Sequence, residues 1–109
     1  MIEFGERYYD EWLGYVYSIL LDGNQIGSVD YEEKENEVTV NILSLYRHCY
    51  SFEYFKESVD IIKSMFPKKK LTGLVGISCY CGELKDWKAL GAKTYPDPDD
   101  DIFTVFELQ

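Results

Sequence analysis

The hydrophobic period changes several times along the chain, and each change predicts an element. From residue 14 the period is two. Tyr15, Tyr17, Ile19 and Leu21 fall on one side of a strand over 14–21, with Val16 and Leu20 on the other. Asp22-Gly23-Asn24 tolerates positive φ and marks a hairpin turn. The return strand covers 25–32, with Val29 and Tyr31 facing one way and Ser28 and Asp30 the other. Glu33-Lys34-Glu35-Asn36 makes a second, polar turn. A third strand over 37–45 carries Val38, Val40 and Ile42 on one face and Leu43 and Leu45 on the other, completing an antiparallel meander.

Over 51–65 the spacing becomes three and four. Phe52, Phe55, Val59, Ile62 and Met65 form the apolar stripe of a helix that packs on the sheet. Ser51 is a suitable N-cap, Glu53 lies where the dipole favours an acid, and Pro67 stops the helix. The apolar run 71–79 predicts a buried central strand, with close backbone approach at Gly73 and Gly76. A second helix over 82–90 carries Leu84, Trp87 and Leu90 on one side, with Gly91 as its left-handed cap. Alternating Ile102, Thr104, Phe106 and Leu108 predict a last strand over 102–108. Residues 1–12 mix Phe4, Tyr8, Tyr9 and Trp12 with acids and fit either a short helix or an irregular arm. Together these predict one α/β (α+β) domain over 1–109, with order β-β-β-α-β-α-β and a mixed, mainly antiparallel sheet.

Composition narrows the function classes. With 46% hydrophobic residues in 109 the chain can build a core. Its longest apolar run is too short to span a membrane, and residues 1–7 are acidic and unlike a signal peptide, so a cytoplasmic protein without membrane contact is expected. Cys49, Cys79 and Cys81 are odd in number and accompany a single histidine. Reduced thiols are expected, and no metal site, Cys79-x-Cys81 included. Asp97-Pro98-Asp99-Asp100-Asp101 lacks the glycine and distal glutamate of a calcium loop and reads as polar coil. A net charge of −9 disfavours direct nucleic-acid binding. The basic run Lys68-Lys69-Lys70 reads as a cap on the preceding helix. The acidity serves solubility, a basic protein partner, or mimicry of nucleic acid.

The junction 43–55 is the most informative stretch. A strand end running into a helix start commonly cradles phosphate, because the first helical N–H groups are unpaired. Such cradles use glycine, and this one carries Tyr46, His48, Tyr50 and Phe52 instead. Arg47 and Ser51 could hold an anion there. They could equally be a surface arginine and a plain N-cap.

The element order is similar to that of the GNAT (Gcn5-related N-acetyltransferase) family over residues 14–108. The segment 80–92 resembles the family's asparagine-led helix ending in leucine-glycine-phenylalanine: Leu90 and Gly91 match, and Ala92 replaces the phenylalanine. Tyr80 stands at the asparagine position, and Trp87 stands where a tyrosine often serves as general acid. The family's Arg/Gln-x-x-Gly-x-Gly/Ala pyrophosphate loop is matched by Arg47 alone.

The resemblance implies two functions. The first is a degenerate, non-catalytic acetyltransferase-like domain that acts as an acidic protein-binding module without a cofactor. Its partner, of basic character, would meet Tyr31, Glu33, Glu35, Tyr50 and Tyr54, with a homodimer seam as the other use of the tyrosines. The alternative is an active acetyl-CoA-dependent N-acetyltransferase. Leu43, Ser44 and Leu45 would then hold the thioester, and Arg47, His48 and Ser51 the pyrophosphate. Tyr80 or Tyr46 would be the acid, with His48 a candidate base because imidazole exchanges protons near neutrality. An enzyme needs an open cleft between the 37–45 and 71–79 strands. A binder could have it plugged by Tyr50, Phe52 and Trp87.

Overall fold

The computed structural model of the chain describes residues 1–76 and 80–109. The elements are β1 (Ile2–Asp10), β2 (Gly14–Leu21), β3 (Asn24–Glu33), β4 (Glu37–Leu45), a single 3-10 turn (Arg47–Cys49), α1 (Phe52–Met65), β5 (Lys70–Val75), α2 (Leu84–Ala89), β6 (Lys93–Pro96) and β7 (Thr104–Leu108). The fold is mixed α+β, with one seven-stranded sheet in the order β1-β2-β3-β4-β5-β7-β6. Neighbouring strands are antiparallel except β4 and β5, which are parallel.

The meander and both helices lie where the periodicity predicts them, and β5 covers the first part of the predicted 71–79 strand, ending at Val75. The two ends of the chain correct the expected order. The first residues are neither helix nor irregular arm. They form β1, antiparallel to β2 from Ile2↔Leu21 to Asp10↔Gly14. A register shift between Phe4 and Arg7 inserts an extra residue. Residues 4, 7 and 9 thereby share a face, so the two-residue period that marks a strand is broken. The second missed strand, β6, has four residues, ends on Pro96, and pairs only with β7 at the sheet edge, where proline is tolerated. The last strand begins at Thr104, after a turn that leaves Ile102 exposed. Residues 77–79, including Cys79 of the C-x-C pair, lie outside the described residues.

The core lies between the sheet and the two helices. Phe55, Val59 and Ile62 of α1 and Trp87 of α2 are buried with Ile19, Val29, Leu43, Leu71 and Phe106 from the strands. The Phe55 ring meets Trp87 edge-on at 5.1 Å, and Trp87 stacks on Phe106 at 3.8 Å, so α1 and α2 share one core. Ser51 caps α1 by accepting the Tyr54 N–H at 3.1 Å. Gly91 ends α2 at φ +94. A side chain at Gly73 would meet the Phe106 ring and the Val40 carbonyl, the close approach expected there. The basic run is tied across the fold: Lys69 pairs with Glu33 at 2.7 Å and Lys70 with Glu107 at 3.3 Å. No described helix is long and apolar enough to cross a membrane.

Candidate functional site

Among the described residues, the parallel pair β4·β5 holds for three pairs, Glu37↔Lys70 to Thr39↔Thr72. Just beyond, β4 is bulged. Consecutive residues Asp30 and Tyr31 of β3 face Ile42 and Val40, leaving Asn41 as the extra residue. A bulge bends and twists its strand, and here it coincides with the parting of β4 from β5. The chain returns to β4 at Tyr80, whose carbonyl accepts the Leu43 N–H at 2.7 Å. Between β4 and this return lies a cleft of about 460 Å³, within the size range of small-molecule sites.

Leu43, Ser44 and Leu45 line the cleft from β4, followed by Arg47 and Tyr50. Tyr80, Glu83 and Lys85 line it from the return. Two of the chain's eleven basic residues meet one acid here, against a chain charge of −9. Lys85 and Glu83 approach at 3.4 Å on the surface. The Leu43 N–H points to Tyr80, and the Tyr46 N–H points the other way, to Ile26 of β3. By the strand's alternation the Leu45 N–H faces the cleft.

Tyr50 is held from behind. Its hydroxyl donates to Asp86 Oδ2 at 2.5 Å, and Asp86 is buried in the first turn of α2. Desolvation, and then the bond to and charge of Asp86, push the Tyr50 phenol up to about 12. The native state thus keeps a proton that the unfolded chain releases near its ordinary value of about 10. Stability from the pair is full below pH 10 and falls as pH rises through 12. In urea unfolding, wild type should lose more stability than Tyr50→Phe between pH 9 and 11. Equal losses would show that the pair contributes nothing.

The structure brings Leu43, Ser44, Leu45, Arg47 and Tyr80 together in the cleft. Tyr46, which precedes the 3-10 turn, and His48 on it stack on each other at 6.0 Å, both exposed, and are not among the cleft's lining. Ser51 serves as the cap of α1. Of the three expected plugs only Tyr50 reaches the cleft: Phe52 packs against the core, and Trp87 is fully buried with its Nε1–H donating to the Cys81 carbonyl at 2.6 Å. The expected partner residues are spread over the fold. Tyr31 packs among Phe4, Tyr17 and Phe66, and Glu33 and Glu35 sit at the β3–β4 tip. Tyr50 is in the cleft and Tyr54 on α1. Lys85 and the Tyr50–Asp86 pair were not foreseen. The pair spans 36 positions, and no local pattern links its members.

No group of three or more His, Cys, Asp or Glu side chains fit to hold a metal ion occurs among the described residues. The chain matches no protein-family model, no curated protein and no solved structure.

Proposed function

We propose that the chain is an acetyltransferase-like domain that binds an acyl thioester of the coenzyme A type in the cleft between the end of β4 and the 80–85 segment without turning it over. One observation carries the reading. The parallel strands separate after three pairs, and beyond the Leu43–Tyr80 contact the Leu45 edge of β4 faces a cleft that Phe52 and Trp87 do not fill. An extended amide-bearing arm adds to such an edge as a strand would, with a carbonyl accepting the Leu45 N–H. Arg47 and Lys85 supply charge for phosphates at the level of side chains. The start of α1 contributes little, because Glu53 occupies its first turn and opposes an anion there.

The arrangement of acids supports binding without turnover. Tyr46 and His48 are outside the lining, Trp87 is committed to the core, and the Tyr50 proton is held by Asp86. A second reading, an active N-acetyltransferase, is favoured by Tyr80, which lines the cleft, is exposed, and lies beside the Leu43 amide. Calorimetry with acetyl-CoA tests both. Micromolar binding is expected, and Arg47→Ala should weaken it about tenfold, the ~1.5 kcal/mol of one charged hydrogen bond. Absence of binding at millimolar acetyl-CoA would retire both readings. Thiol release with amines, lost in Tyr80→Phe, would select the enzyme.

A further inference from the structure

We infer that Tyr50 is a specificity-determining residue of the cleft: its hydroxyl oxygen accepts an amide N–H from the ligand's arm and rejects groups that themselves need a donor there. This rests on the coenzyme A-type reading above. Tyr50 is 44% exposed and lines the cleft, whereas Asp86 is 5% exposed and stands behind it, outside the lining. A phenol has one proton and two lone pairs. That proton is committed to Asp86 Oδ2 at 2.5 Å. A group that reaches the oxygen from the cleft therefore meets lone pairs alone, and only an N–H or O–H can answer them.

The fold holds the hydroxyl in this polarity. An ordinary hydroxyl turns its proton to suit either kind of partner. Turning it away here would take a hydrogen bond from a buried carboxylate, a loss larger than for a neutral pair. Tyr50 comes from the connection between β4 and α1 and Asp86 from α2, 36 positions away, so tertiary packing sets the direction of the bond before any ligand arrives. Charge points the same way. Asp86 and Glu83 both act on the Tyr50 phenol and strengthen its hold on the proton. Lys85 offsets Glu83 at 3.4 Å, while Asp86 has the phenol in place of a cation. A phenol that donates to a carboxylate also accepts more strongly at its own oxygen.

The arm of coenzyme A meets this demand. It carries secondary amides, each with a carbonyl and an N–H. The Leu45 N–H offers a donor to an arm carbonyl, and Tyr50 offers an acceptor to an arm N–H. A thioester oxygen at Tyr50 would set lone pair against lone pair. A phosphate there would also meet the charges of Asp86 and Glu83, so selectivity includes a repulsive element.

The test is calorimetry on the full chain with acetyl-CoA and with analogues in which one arm amide N–H is replaced by an ester oxygen. One analogue should bind wild type about tenfold more weakly than acetyl-CoA, the loss of one hydrogen bond to a charge-supported acceptor. Tyr50→Phe should bind acetyl-CoA more weakly and should no longer distinguish it from that analogue. A merely structural Tyr50 would weaken every ligand alike and leave the preference intact. A second readout needs no variant: with tyrosine carrying carbon-13 at Cζ, the Tyr50 signal of wild type should move further with acetyl-CoA than with the ester. Three results would overturn the inference while coenzyme A binding stands: equal affinity of wild type for amide and ester ligands, a preference that persists in Tyr50→Phe, or equal movement of the Tyr50 signal. Absence of binding at millimolar acetyl-CoA would retire the cleft reading and this inference together.

Discussion

Trp87→Ala is expected to lose about 3–5 kcal/mol of stability, the cost of emptying a large aromatic site in a core. Trp87 is fully buried, stacks on Phe106 of β7, meets Phe55 of α1 and hydrogen-bonds the Cys81 carbonyl. It ties α2, α1 and the sheet at one point, so the cavity has little freedom to collapse. A domain of this size has roughly 5–15 kcal/mol in total, so the loss removes a large share of its margin. Trp87→Phe separates two causes. It keeps ring packing and loses the Nε1–H donor, at about 0.5–1.5 kcal/mol for one hydrogen bond. Urea unfolding followed by circular dichroism measures both. A loss below about 1 kcal/mol for Trp87→Ala would place that side chain outside the core and sink the account of how the helices are joined.

Gly27→Ala should cost about 1–3 kcal/mol, towards the upper end, through overpacking against backbone. A methyl there would collide with the Ser44 carbonyl and lie 2.9 Å from Leu45 Cα and 3.1 Å from Leu45 Cδ2. Backbone cannot rotate away as a side chain can. Relief requires β4 to move where it floors the cleft, between Gly27↔Leu45 and Ser28↔Ser44. The variant should therefore lose ligand affinity even where it remains folded. Gly23→Ala is the comparison. That glycine has positive φ with open space around it, so its variant should lose stability without touching the cleft. If Gly27→Ala bound acetyl-CoA as wild type does, the Leu45 edge would have no part in binding.

The contrast between the two glycines shows what was legible in the chain. Gly23 sits in a local turn signal, Asp22-Gly23-Asn24, and its role is visible without a fold. Gly27 is an ordinary residue of a strand, and its role exists only because Ser44 and Leu45 of β4 lie against it. The same division runs through the candidate site. Leu43, Ser44, Leu45, Arg47 and Tyr80 could be named from a strand end, a helix start and a family-like segment, and they converge. His48 and Tyr46 are neighbours of Arg47 in the chain, yet the 3-10 turn carries them out of the lining.

Periodicity and turn chemistry in the chain determined the three-stranded meander, the capped helix α1, the central strand and the second helix ended by Gly91. These depend on interactions within a few residues, namely burial of one face, capping bonds and positive-φ turns. β1 escaped because the bulge after Phe4 breaks its period, and β6 because a short polar edge strand buries too little to leave a pattern. Only the tertiary structure decided that β4 and β5 part after three pairs, that Tyr50 rests on Asp86, and that Trp87 is core rather than a plug of the cleft. Each is a contact between positions more than thirty residues apart, or a burial set by such contacts. Such contacts come from packing the sheet, α1 and α2 into one volume, and no neighbouring residue in the chain carries their trace.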